Sequence, residues 1–302
     1  MLGYLGPEGT FTHQALLQLV SGDDMRPYAS VGLALEAVRD GSVEAALVPI
    51  ENSVEGGVTA TLDDIGDPVN PLQIVRETVL NIRFNLCTRP GVQLSEIKTI
   101  ASHPHALAQV RNWLDENFPE AEIMRVGSTA QGANFVAEGK ADATVCSAIA
   151  GDLNGLEAQV SDVADNPSAT TRFVLVTKRQ KSPARTGHDK TTLVAYMHRD
   201  EPGALLNILQ QFAVRGVNMC RIESRPTKTS LGNYCFSIDA EGHIEDLRLA
   251  DTLIGLKRIC QDVIFLGSYE RANGVEPMNQ RGGTDPEYTD AMNWVRSIGG
   301  RI

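Results

Sequence analysis

Two hydrophobic rhythms alternate along the first part of this chain. Short runs of small or branched apolar residues have the length of buried strands, and between them apolar residues recur at helical spacing. The clearest strand is Ala45-Ala46-Leu47-Val48-Pro49-Ile50, which runs into Glu51-Asn52-Ser53 and then Gly56-Gly57. Gly3 to Leu5 and Ile100-Ala101-Ser102 are further strands, each followed by a Pro-containing loop and a helix, the first helix over Phe11 to Val20. Ser30 reads as an N-cap, with an amphipathic helix behind it, a Gly41 stop and a strand from Ala45. Ser128, Val136, Gly139 and Ala143 repeat Ser30, Val38, Gly41 and Ala45 at a constant offset. The echo predicts two similar α/β lobes with a ligand between them.

Beyond residue 180 the rhythm changes. Lys181 to Asp189 is polar, holds Pro183 and Gly187, and reads as a linker. Thr191 to Met197 is a strand and Gly203 to Arg215 a helix. Val217 to Ser224 and Asn233 to Asp239 form a hairpin, Asp246 to Ile259 is a helix, and Val263 to Tyr269 is a last strand. This βαββαβ order is ferredoxin-like, an α+β module over 190–269. The tail, 270–302, is polar and Gly-rich until Asp285-Pro286, where a helix begins with Tyr288, Ala291, Met292, Val295 and Ile298 on one face. Packing or oligomer contact is the expected use of that helix.

Composition narrows the function. The 302 residues are 42% hydrophobic and 22% charged, with a formal charge of −11. No run approaches the ~20 apolar residues of a membrane span, and the first residues lack a signal-peptide pattern. A cytoplasmic location is expected. Lys178-Arg179-Gln180-Lys181 is the longest basic cluster, so neither nucleic acid nor a membrane surface is an expected partner. Cys87, Cys146, Cys220, Cys235 and Cys260 are scattered and odd in number, which reads as buried free thiols. If the ligand is anionic, helix N-termini and a few specific cations must hold it against the global field.

Several motifs then agree in order and separation. Gly6-Pro7-Glu8-Gly9-Thr10-Phe11-Thr12-His13, Pro49-Ile50-Glu51-Asn52-Ser53, Ser128-Thr129-Ala130 and Thr171-Arg172-Phe173 resemble the prephenate dehydratase family. Gly203-Ala204-Leu205 and Glu223-Ser224-Arg225-Pro226 resemble the two phenylalanine-binding motifs of an ACT regulatory domain. The resemblance covers about 1–270. It implies a dehydratase domain over 1–180 that resembles type II periplasmic binding proteins, with lobes of about 1–76 plus 170–180 and about 77–169. It implies an ACT domain after the 181–189 linker. It also implies conversion of prephenate to phenylpyruvate in phenylalanine biosynthesis without metal or organic cofactor, and a homodimer or homotetramer that responds to phenylalanine.

Such a reaction needs groups that hold two carboxylates and a hydrogen-bond donor at the departing hydroxyl. Thr171 is the first choice for that hydroxyl, although a threonine that merely starts a strand is the ordinary alternative. Phe173 follows it in the same motif. Arg172 should face away from Thr171, pairing with a carboxylate or binding substrate. Asn52 and Ser53 are expected on a substrate carboxylate, with Glu51 as a possible acid. Ionised beside a dianion, Glu51 would be repulsive, so it must be protonated, paired or turned away, and a helix N-terminal carboxylate is its ordinary alternative. Thr10 with Thr12, and Ser128 with Thr129, open helices; they can cap, bind an anion, or both. His105 stands where the family commonly has Gln, and is read as a neutral donor ahead of an imidazolium acid.

For phenylalanine, the expected contacts are Gly203, Ala204, Leu205, Asn218, Met219, Glu223, Ser224, Arg225 and Pro226, against the alternative that Glu223 and Arg225 form only structural ion pairs. Two rivals to the main reading remain: arogenate as the substrate, and an aromatic-acid sensor without turnover.

Overall fold

The computed structural model describes residues 1–20, 22, 24–199, 201–227, 234–277 and 281–301. The predicted strand start at Asn233 lies outside them. In chain order the first elements are β1 (Leu2–Leu5), α1 (Phe11–Leu19), β2 (Met25–Tyr28), α2 (Val31–Asp40), β3 (Ala45–Asn52), β4 (Gly56–Gly57), α3 (Thr59–Ile65) and β5 (Gln73–Asn81). Next come β6 (Asn85–Thr88), β7 (Thr99–Ser102), α4 (Pro104–Gln109), α5 (Arg111–Asn117), β8 (Glu122–Arg125), α6 (Thr129–Ala137), β9 (Ala143–Cys146), α7 (Ala148–Leu153) and β10 (Glu157–Val160). The chain ends with β11 (Thr170–Thr177), β12 (Asp189–Tyr196), α8 (Ala204–Ala213), β13 (Met219–Pro226), β14 (Tyr234–Glu241), α9 (Leu247–Ile259), β15 (Asp262–Glu270) and α10 (Asp285–Ser297).

Local chemistry explains the helix boundaries. Ser30 accepts from the Leu33 N–H and Ser128 from the Gln131 N–H, each satisfying an otherwise orphaned first-turn donor. Gly41 closes α2 at φ 86°, a left-handed conformation that costs glycine nothing. Ala45–Asn52 extends because it is β-branched and small, and its first six residues are all but buried.

These elements form three sheets, ordered β2-β1-β3-β11-β5 with β4 on β3, β10-β6-β9-β7-β8, and β13-β14-β12-β15. In the first two, β1 lies parallel to β2 and β3, and β7 lies parallel to β8 and β9. The loops after β1, β3 and β7 therefore leave at carboxyl ends, where open α/β sheets carry their ligand groups.

The chain divides into two compact units, Met1–Thr61 with Thr78–Val174, and Leu62–Glu77 with Leu175–Ile302. The first holds both α/β lobes. In the second, β12, α8, β13, β14, α9 and β15 follow the predicted βαββαβ order. Their core clusters Leu193, Ala195, Ile208, Phe212, Ile238 and Leu256. Leu62–Glu77, nearly all of which falls in the first lobe of about 1–76 that the resemblance implies, belongs to this unit. Glu77 receives Lys190 Nζ on both carboxylate oxygens at 3.0 and 2.9 Å, and Asp63 receives Arg225 at 2.9 Å.

Three local expectations need correction. Asp189 is no linker residue: it is buried, opens β12, and accepts from the Thr186 and Gly187 N–H groups at 2.9 Å. Cys220 is exposed while the other four thiols are buried, because it sits on the outermost strand β13, whose alternate side chains face solvent. On α10, Tyr288, Met292 and Val295 are half-buried, but Ala291 and Ile298 are exposed. Among the described residues no helix is long and apolar enough to cross a membrane.

Candidate active site

The first unit contains a cavity of about 440 Å³. Its walls come from the loops after β1, β3 and β7, from the starts of α1, α4 and α6, and from β11. Leu5, Phe11, Val58, Ile82, Phe84 and Phe173 supply an apolar wall. The Phe11 and Phe84 rings meet edge to face, with centroids 5.3 Å apart. This is the shape and chemistry of a pocket for a ring with polar substituents.

The polar wall is built around Thr171. β3 and β11 are neighbours in the sheet, and Asn52 Nδ2 donates to Thr171 Oγ1 at 2.8 Å. The Asn52 amide is fixed from its other end, because Oδ1 accepts from the Val54 and Glu55 N–H groups at 2.8 and 3.2 Å. Asn52 therefore occupies a lone pair of the Thr171 hydroxyl and leaves its hydrogen to be donated. Thr171 is 7% exposed, so the residue itself is largely withdrawn from bulk water.

Three helix starts face the same space. Thr10 and Thr12 come from α1, His103 and His105 from α4, and Ser128 and Thr129 from α6. First-turn amides have no intrahelical acceptor, so these ends favour anions. Among the described lining residues there is no Lys or Arg. Two of the hydroxyls are already engaged: Thr10 Oγ1 donates to the Leu5 carbonyl at 3.1 Å and accepts from His13 N–H at 3.4 Å, and Ser128 Oγ accepts from Gln131 N–H at 3.0 Å. Both residues shape the anion-receptive loops, and Ser128 keeps a hydrogen to donate. His13 stacks on Tyr4 with centroids 5.1 Å apart, and its Nδ1 accepts from Gly9 N–H at 3.2 Å. Burial lowers its pKa, against an opposing pull from Glu8, so it is held as a neutral acceptor.

His105 lines the cavity and its Nδ1 meets the Glu55 carboxylate. His103 stacks on His105 at 5.0 Å, and its Nδ1 accepts from the His105 N–H at 3.3 Å. Burial lowers the His103 pKa, the neighbouring His105 acts the same way, and Glu55 opposes both. Gln109, at the end of α4, has its side-chain oxygen buried without a hydrogen-bond partner in the cavity wall, an acceptor available to a ligand.

Of the residues expected at the site, Thr10, Asn52, His105, Ser128, Thr129, Thr171 and Phe173 line the cavity. Glu51, Ser53 and Arg172 do not. Arg172 pairs with Glu51 at 3.4 Å, consistent with alternation along β3 and β11 that turns this pair away from Asn52 and Thr171. Glu51 is thus not placed to give a proton in the cavity. Ser53 continues the ladder: its N–H donates to Thr170 O and its Oγ accepts from Thr170 N–H, both at 2.9 Å. Sequence reasoning gave no role to Glu55, His103 or Gln109. His103 and Gln109 flank His105 on α4, which is the one local signal that pointed to them.

The expected phenylalanine contacts also separate. Gly203, Ala204, Leu205 and Ser224 line one groove of the second unit, of about 510 Å³, together with Glu201 and Tyr234. Arg225 and Pro226 line another cavity beside Asp63. Strand alternation is the cause: Ser224 pairs in register with Phe236, a core residue on the helix-covered face, whereas Glu223 and Arg225 pair with Ser237 and Cys235 on the opposite face. Arg225 bonds Asp63 at 2.9 Å and Glu223 at 3.3 Å. Asn218, Met219 and Glu223 line neither cavity; Met219 packs against the core.

Comparison with known proteins agrees with this architecture. Residues 2–181 match the family model described as prephenate dehydratase. A curated prephenate dehydratase of Amycolatopsis methanolica is 43% identical over 299 residues, spanning 98% of this chain and 97% of that protein. The crystal structure of an Arthrobacter aurescens prephenate dehydratase in complex with L-Phe superposes with a TM-score of 0.92, at 48% identity and 98% coverage of both chains. A solved structure described as a new type of quorum-quenching acylase, GqqA, is similar at 33% identity and a TM-score of 0.79, over 89% of this chain and 97% of that one. On the family match and the near full-length identity, this chain belongs to the prephenate dehydratase family.

Proposed function

We propose that the cavity of the first unit converts prephenate to phenylpyruvate, and that phenylalanine controls the enzyme through the second unit. In this reaction the bond between the ring and its carboxylate breaks and carbon dioxide leaves. The released electron pair enters the ring as the opposite carbon–oxygen bond breaks, and the departing hydroxide takes up one proton from solvent water, returned by the buffer, to leave as water. Aromatisation drives the change, so the protein has to position the dianion and assist the leaving oxygen.

The observation that carries this reading is the Asn52–Thr171 hydrogen bond at the cavity wall. With Asn52 as its donor, Thr171 donates its own hydrogen to the leaving hydroxyl, polarising the carbon–oxygen bond without giving up a full proton. Thr129, Ser128 and the starts of α1 and α6 receive carboxylates, which explains how a site with no Lys or Arg among its described lining residues takes a dianion. Phe11, Phe84 and Phe173 cover the ring, and His105 supplies a further donor. Glu51, Ser53 and Arg172 hold β3 against β11 and so fix the Asn52–Thr171 geometry.

In domain terms, the reading assigns 1–180 to the dehydratase, with a fold of the periplasmic-binding-protein type, and 190–269 to an ACT module. The relative from Arthrobacter aurescens binds L-Phe. In this chain the groove of Gly203, Ala204, Leu205 and Ser224 is where that amino acid would sit. Leu205, Leu206 and Ile222 are 40%, 56% and 41% exposed, an apolar surface that a homodimer or homotetramer of a cytoplasmic enzyme would cover.

The test is turnover of prephenate by the full chain, followed as phenylpyruvate, with and without phenylalanine. Turnover that phenylalanine suppresses supports the reading. Prephenate left intact while an N-acyl amide is hydrolysed would overturn it in favour of the activity described for the 33%-identical neighbour. Arogenate is the second substrate to compare by kcat/KM, because Glu55 places a carboxylate in the cavity wall that an ammonium would meet favourably.

A further inference from the structure

Among the described residues that line the cavity, Glu55 is the only Asp, Glu, Lys or Arg. A carboxylate has the wrong sign for a site that takes a dianion, and like charges at close range are costly. Its placement suggests why it is tolerated. Glu55 lies in the turn after β3, His105 lies at the start of α4, and Glu55 Oε1 meets His105 Nδ1. The contact joins loops from the two α/β sheets of the first unit. His103 stacks on His105 from the other side. The Glu55 side chain is 40% exposed and that of His105 60%, so neither is locked in a core. Gly56 follows with φ 84°, a left-handed backbone that glycine adopts without strain.

We propose that Glu55 is the resident occupant of a carboxylate subsite at His105. In the free enzyme its carboxylate engages His105 Nδ1, and a substrate carboxylate displaces it on binding. The inference rests on reading the cavity as the prephenate site, and it names the place of one of the two substrate carboxylates. It also assigns Glu55 a specificity role. A ligand must bring a carboxylate able to win His105 from a tethered competitor, so an analogue with only the other carboxylate pays the like-charge cost without the exchange.

The experiment compares kcat and KM for prephenate in the parent, E55Q, H105Q and the double variant, alongside calorimetric binding of a non-reacting cyclic dicarboxylate. Glu55→Gln keeps the shape but weakens the competitor. KM and the dicarboxylate Kd should fall about fivefold, the scale of losing one half-exposed hydrogen bond to a carboxylate. In the H105Q background the same substitution should change both by less than about twofold. A KM that rises or stays level in E55Q would overturn the proposal, as would equal effects in both backgrounds. A loss of kcat on the order of a hundredfold would also overturn it, because Glu55 would then act on the reacting atoms. If the parent fails to turn over prephenate but E55Q still tightens the dicarboxylate, the activity reading falls while the subsite stands.

Discussion

The cavity of the first unit and the sheet face of the second that lies opposite α8 and α9 are both rich in polar groups, yet they use them in opposite ways. On the sheet face the groups satisfy one another. Lys190 holds both oxygens of Glu77, Arg221 reaches Asp239 at 3.0 Å, and Thr192 Oγ1 bonds Asp239 at 2.7 Å and the Tyr269 hydroxyl at 2.6 Å. In the cavity, satisfaction stops one bond short. Asn52 orients Thr171 but leaves its hydrogen, the helix starts offer donors with no Lys or Arg among the described lining residues, and Gln109 presents an unpaired acceptor. Internally paired charges fix a fold, whereas polar groups with one open valence fix a reaction. A residue's type does not distinguish the two uses; its partners do.

The comparison breaks most visibly at the buried pair. Lys190→Met takes the paired cation from the Glu77 carboxylate, whose side chain is only 3% exposed and which keeps the Ala272 N–H at 2.9 Å. Urea denaturation should show a loss of about 3–5 kcal/mol, largely recovered when Glu77→Leu is added. Dehydratase kcat/KM at a temperature where the variant is folded should be unchanged. A small stability loss would mean that this face is less self-satisfied than its geometry indicates.

Glu51 sharpens the contrast from within the first unit. Although it adjoins Asn52, its pairing with Arg172 puts it in the same class as the pairs of the sheet face. Glu51→Gln should cost about 1 kcal/mol of stability, the scale of one partly exposed charged hydrogen bond. It should lower kcat less than about tenfold. A drop of several hundredfold would restore Glu51 as the acid.

How much of this was legible in the chain depended on the range of the interaction. The caps at Ser30 and Ser128, the Gly41 stop and the apolar run of β3 are local, and alternation or helical period declares them. The cleft was partly legible, because residues just past strand ends could be named without knowing their partners. Glu51 was misplaced because Glu51-Asn52-Ser53 reads as the loop beyond a strand, where alternation does not apply. In fact β3 runs through Asn52, so adjacent side chains must face opposite ways. The same effect separates Ser224 from Arg225. Glu55 meeting His105 and Asn52 meeting Thr171 join residues 50 and 119 positions apart, and no local pattern encodes such encounters.

The central claim is that Thr171 donates its hydroxyl hydrogen to the leaving oxygen in an orientation set by Asn52. Single-turnover rates with saturating prephenate test it directly in Thr171→Val, which keeps the shape but removes the hydroxyl, and in Thr171→Ser, which keeps the hydroxyl. The account predicts a loss on the order of 10²–10³ in rate for valine, the usual cost of deleting one transition-state hydrogen bond, and a serine variant within about tenfold of the parent. A valine variant that reacts at nearly the parental rate would contradict it.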